Sequence, residues 1–294
     1  MWFRESSERD VSFFFFVILI SVSCLAASGW SAPYLRVDTA AGVSVATYGG
    51  TYLEGQNDNT VAATAVIGPL YQDSGIVATQ NYLAGLGTGQ AKAQADYGVL
   101  RAWAKATGCE PTIIEVDGVM TTCIAGGNAC STAEFYDLIT VSSPGVSGSG
   151  RIIFGVHVDG DMTGIILHPG VVSGAGWEIK FNGGTIADQW DYSTNSGLFG
   201  GDFTVSMPIA FGQGTNFSFS LMAAANGYYY NTLSIADYFN SAYITGLWVQ
   251  DSAGNTLSNF TAVSASGHNY VPEPMTICLF GLGAMGMIRR KEIK

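Results

Sequence analysis

Residues 91–106 read AKAQADYGVLRAWAKA, and the period assigned to them decides the fold. Their alanine content favours a helix. Gly98 interrupts one, however. Counting by twos places Leu100, Ala102, Ala104 and Ala106 on one face, and Val99, Arg101, Trp103 and Lys105 on the other. We read the stretch as strand.

The flanking chain supports that reading. Phe203–Phe211 and Thr215–Ala223 alternate apolar and polar residues, and Gly176–Phe181 reads as a half-buried strand. Turn formers recur at short intervals: Gly49-Gly50, Gly126-Gly127-Asn128, Pro144-Gly145, Asp159-Gly160, Asn182-Gly183-Gly184 and Gly200-Gly201. Arg151–Val158, then Asp159-Gly160-Asp161, then Met162–Leu167 carries a hairpin signature. Ser234–Asn240 suits one helical turn. Ile244–Val249 and Thr256–Ala262 flank a loop at Asp251–Asn255 and make a last hairpin. The expectation is an all-β body of β-sandwich or jelly-roll type.

Composition agrees. Charged residues are 12% of the 294, while 48% are hydrophobic, with 14 Tyr, 16 Phe and 6 Trp to build a core. The formal net charge is -11. Residues 1–32 hold two Arg and three acids, and residues 272–294 hold four basic and two acidic residues. The body between them therefore has 6 basic and 18 acidic side chains, a net of about −12. Such a surface repels nucleic acid and anionic headgroups.

The two ends differ from the body. Val11–Leu25 (VSFFFFVILISVSCL) is uncharged, preceded by Arg4 and Arg9 and followed by small residues, the form of a signal-peptide helix. The other end reads VPEPMTICLFGLGAMGMIRRKEIK. A Pro272-Glu273-Pro274 turn breaks any preceding strand. An apolar run follows from Met275 to Ile288, about 21 Å if helical. Arg289, Arg290 and Lys291 close it in the stop-transfer order. The expected division is a signal peptide over 1–32, a β-sandwich body over 33–271, and a C-terminal signal with a hydrophobic helix over 272–294.

Turn, short glycine-containing apolar run and basic cluster, in that order, resemble the PEP-CTERM sorting signal of exosortase substrates. Asp96-Tyr97-Gly98 with Leu100 is similar to a stretch found in such bodies. The resemblance implies export by Sec-type machinery and transient anchoring at the inner membrane. Exosortase, a membrane cysteine transpeptidase, would then remove the tail. It further implies a final location at the cell surface or outside the cell, with exopolysaccharide as a possible partner.

Chemistry in the body is sparse. His157, His168 and His268 are the three histidines, and none sits in a recognisable nucleophile–base pattern. Gly85–Gly89 lacks the lysine of a phosphate loop. Asp159 and Asp161 read as turn formers. Asp188 and Asp191 flanking Trp190 beside Tyr192 are the best candidate for a sugar surface. An exported location permits disulfides, and Cys123–Cys130 across Gly126-Gly127-Asn128 is the favoured pair. We expect no catalysis, metal or cofactor. The function expected is a structural or exopolysaccharide-associated surface protein, and the alternative is a secreted carbohydrate-binding module.

Overall fold

The computed structural model describes residues 32–47, 52–53, 61–65, 70–77, 87–108, 112–116, 119–165, 173–191, 197–198, 200–227 and 232–271. The two expected terminal helices, and Pro272-Glu273-Pro274, lie outside them. Regular structure among the described residues is all strand. In chain order the strands are β1 (Tyr34–Thr47), β2 (Tyr52–Leu53), β3 (Val61–Ala65), β4 (Leu70–Val77), β5 (Thr88–Asp96), β6 (Val99–Thr107), β7 (Thr112–Val116) and β8 (Val119–Ser142). They continue as β9 (Ser149–Ile165), β10 (Ser173–Phe181), β11 (Gly184–Asp191), β12 (Gly197–Leu198), β13 (Gly201–Ala210), β14 (Gly214–Gly227), β15 (Leu233–Asp251) and β16 (Thr261–Ser264).

These strands make two antiparallel sheets. The first runs β11-β10-β14-β8-β1-β2, with β16 and β7 also on β8 and β3 on β1. The second runs β12-β9-β15-β6-β5-β4, with β13 on β9. Alternation drives both: in β14 every second residue from Phe217 to Gly227 is buried. The inner faces meet through aromatic rings. Phe154 of β9 stacks on Phe217 of β14 at 4.9 Å, and Trp177 of β10 lies 5.2 Å from Tyr238 of β15. This is a sandwich-like body.

The opening stretch is a hairpin, β5 and β6, turning at Tyr97-Gly98. Its inward face is as read: Ala102, Ala104 and Ala106 are fully buried and Leu100 nearly so. Small side chains here let the two sheets approach closely. Trp103 N donates to Ser131 Oγ across them at 2.9 Å, and Gly108 bridges Gly126.

That approach corrects the turn expected at Gly126-Gly127-Asn128. β8 runs straight through it, pairing Gly126 with Ser44 and Asn128 with Gly42. A Cβ on Gly127 would overlap the Thr88 carbonyl, so glycine is needed there for contact between backbones, not for turning. The Cys123–Cys130 bridge falls with the loop. Both cysteines sit in one continuous strand, seven residues and so about 23 Å apart, while a bridge requires Cα atoms about 4.4–6.8 Å apart. Cys130 is a free thiol.

Three further expectations change. The hairpin at Asp159-Gly160-Asp161 does not form, because β9 is unbroken from Ser149 to Ile165. Gly160 faces the ring of Tyr238, which a Cβ would overlap. Ser234–Asn240 is strand within β15, with a bulge beyond Tyr238, and not helix. The last loop is present: Asp251 Oδ1 accepts from Ala253 N at 2.9 Å and Asn255 N at 2.8 Å. The hairpin expected around it is cut short: Thr256 bridges Gln250, but the chain then crosses to the first sheet, where Thr261 pairs with Ser142 on β8.

Candidate functional site

The described chain ends at Val271, one residue before the expected sorting motif, and the site is built by what fixes that end. β16 pairs with β8, and Ala265 N continues the pairing to Leu138 O at 2.8 Å. On β8, Phe135, Asp137 and Ile139 share a parity, and both apolar members point inward at 1% exposure. Asp137 therefore points inward too, and it is fully buried.

A carboxylate in that position must be saturated with donors. Oδ2 of Asp137 accepts from Ser264 Oγ and Ser266 Oγ, both at 2.6 Å, and from Tyr270 Oη at 2.8 Å. Oδ1 accepts from Leu138 N at 2.8 Å and Ser266 N at 3.2 Å. All but one of these donors come from the segment leading to Pro272. Charge-assisted bonds of this kind are the strong class.

Tyr270 closes the cluster. It is 5% exposed and packs 5.4 Å from Phe217 and 6.3 Å from Phe135. Burial first, and then the charge of Asp137, raise its phenol pKa strongly. The same two causes push Tyr97 up to about 12. His268 Nε2 sits over Gly98, where a Cβ would stand 2.8 Å from it, and its ring is 4.6 Å from that of Tyr270. Desolvation lowers its pKa, against the opposing charges of Asp96 and Asp137. Residues 264–270 are thus docked on the body.

The other candidates among the described residues do not converge with this cluster. Pro272, Glu273, Pro274, Arg289, Arg290, Lys291 and His168 lie outside the described residues. Trp190 packs over Gly176, and Asp188 is exposed opposite Glu178. Of Asp191 only the backbone is described. Asp159 and Asp161 are exposed in mid-strand. His157 Nδ1 pairs with Asp202 Oδ1 at 2.7 Å on the outer face of the second sheet. Burial, with Asp38 nearby, pushes the Cys130 thiol up to about 12, which favours the thiol over the thiolate.

Sequence reasoning missed Asp137. A signal existed, since in FYDLI it occupies the inward parity between Phe135 and Ile139. Its partners Ser264, Ser266 and Tyr270 lie more than a hundred residues away, and spacing does not connect them.

Comparison with known proteins adds one match of consequence. Residues 271–291 match the family model described as the PEP-CTERM protein-sorting motif. No curated protein matches the chain. A structure of infectious bursal disease virus, Gx strain, is 12% identical over 90% of this chain and 91% of that chain, with a TM-score of 0.13. The subviral particle of the VP2 protein of infectious bursal disease virus is 11% identical over 86% and 72%, with a TM-score of 0.11. Neither likeness carries an argument. The motif does: it begins at the last described residue, directly after the segment that Asp137 holds, and it implies export and processing by exosortase. The chain is therefore an all-β, sandwich-like body joined to a PEP-CTERM protein-sorting motif at residues 271–291.

Proposed function

We propose that the protein is a structural component of the cell surface or extracellular matrix, associated with exopolysaccharide and without catalysis of its own. An N-terminal signal peptide directs it to Sec-type export. The C-terminal apolar run and Arg289-Arg290-Lys291 hold it briefly at the inner membrane until exosortase acts at Pro272-Glu273-Pro274.

The observation that supports this reading most is the anchorage of Tyr270 on Asp137 at 2.8 Å. It ties the chain into the core two residues before Pro272. A cut at the motif leaves the sandwich whole, with its new C-terminus already fixed, so the released body is a durable scaffold. Its net charge of about −12 keeps it soluble once the basic tail is gone.

Fractionation tests the role. An epitope placed in the Gly183 turn, where nothing approaches within 4 Å, should be recovered with the extracellular polymer. Recovery only from the cell interior contradicts the proposal. A carbohydrate-binding reading is favoured by a separate observation, the exposed aromatic rings of the second sheet.

A further inference from the structure

The outer face of the second sheet carries two of the large apolar side chains that remain exposed, Tyr243 at 39% and Trp248 at 46%. Register places them. Tyr243 lies opposite His157, which lies opposite Asp202, in one row across β15, β9 and β13. Trp248 lies opposite Ile153, which lies opposite Ser206, in a second row. The rows are four residues apart on β9, about 13 Å.

Both rings are held in place. The Trp248 indole crosses Gly155, where a Cβ would stand 3.0 Å from two of its ring atoms. Tyr243 is 5.2 Å from the His157 ring, which the 2.7 Å pair with Asp202 orients. The Asp202 side chain is 85% exposed and offers its second oxygen to water. The surroundings are polar: Thr204, Ser206 and Thr245 are all exposed.

The chemistry of this face selects its occupant. The buried centre of a protein interface is depleted of charged residues and more apolar than its rim. Here Thr245 stands between the rings on β15, and Asp202, Thr204 and Ser206 line β13 on the far side of β9. A pyranose chain has the matching form, with C–H faces for the rings and hydroxyls for the polar groups beside them. The acidic body repels polyanions, which leaves neutral polymers. We propose that this face binds an extended, neutral, β-linked hexopyranose chain, stacked on Tyr243 and Trp248 and hydrogen-bonded by Asp202. This names the polymer class behind the exopolysaccharide association proposed above, but binding in solution does not depend on sorting.

The test uses the full chain, titrated with cellohexaose and laminarihexaose by tryptophan fluorescence and calorimetry. Saturable binding of at least one is expected, weakened about tenfold or more in both Trp248→Ala and Tyr243→Ala and unchanged in Trp190→Ala. Alginate, a polyanion, should not bind. The proposal is overturned if neither oligosaccharide binds up to about 10 mM, or if binding survives both substitutions. It is also overturned if Trp248→Ala abolishes a concentration-dependent dimer in place of sugar binding, because the occupant is then a second copy.

Discussion

Tyr270 Oη donates to the buried carboxylate of Asp137 at 2.8 Å, across 133 residues of sequence. Another buried tyrosine, Tyr238, is fully enclosed, yet its hydroxyl has no hydrogen-bond partner among the described residues. The two phenols should therefore respond oppositely to the same substitution. Tyr270→Phe removes a bond to a charged group and should cost about 1.5–3 kcal/mol. Tyr238→Phe removes only an unsatisfied polar atom and should be neutral or stabilising. Urea midpoints at unchanged slope would show it. Equal losses would mean that the Asp137 anchor adds nothing.

Asp137→Ala leaves the hydroxyls of Ser264, Ser266 and Tyr270 without their shared acceptor. The expected loss is larger than for Tyr270→Phe, about 3 kcal/mol or more. Limited proteolysis should then cut between Ser264 and Val271, a segment the intact anchor protects. Unchanged protection in the variant would place the anchorage elsewhere.

The fold favours neutral His268, because desolvation lowers its pKa from 6.5. Below that value the unfolded chain binds the proton more readily than the folded one. Stability from this group is therefore present above about pH 6.5 and falls with acidification. Glu134 works the other way, since burial raises its pKa, so the difference between wild type and His268→Gln is the quantity to read. The wild type should lose more stability than the variant between pH 7 and pH 5. Parallel profiles would remove His268 from the docking of the terminal segment.

Glycine substitutions separate two roles of that residue. Gly160→Ala drives a methyl group into the Tyr238 ring and should cost about 1–3 kcal/mol. Gly183→Ala has open space around it and pays only for its φ of 77°, about 1 kcal/mol. Thermal unfolding should rank them in that order.

The same distinction explains what was legible in the sequence. Period-two alternation was enough for Leu100–Ala106 and for Thr215–Ala223, because each has one face in the core. Gly126-Gly127 and Asp159-Gly160 misled, because glycine also serves where backbones or rings approach closely in mid-strand, and a single sequence does not separate the two uses. The outer-face row of His157, Tyr243 and Asp202 was hidden for a related reason. It is assembled by register across three strands, and one of them carries bulges. The sorting motif needed no fold to be read, since its turn, apolar run and basic cluster are contiguous.

On the proposed function, Pro272-Glu273-Pro274 directs removal of the tail from a body already closed at Tyr270. The direct measurement is the intact mass of protein recovered from outside the cell, for the wild type and for Pro272, Glu273 and Pro274 all changed to Ala. The wild type should end at or near the motif and lack Arg289, Arg290 and Lys291, while the variant should keep its tail and stay with the membrane fraction. A full-length wild-type mass outside the cell, or unchanged trimming of the variant, would rule out that role for Pro272-Glu273-Pro274.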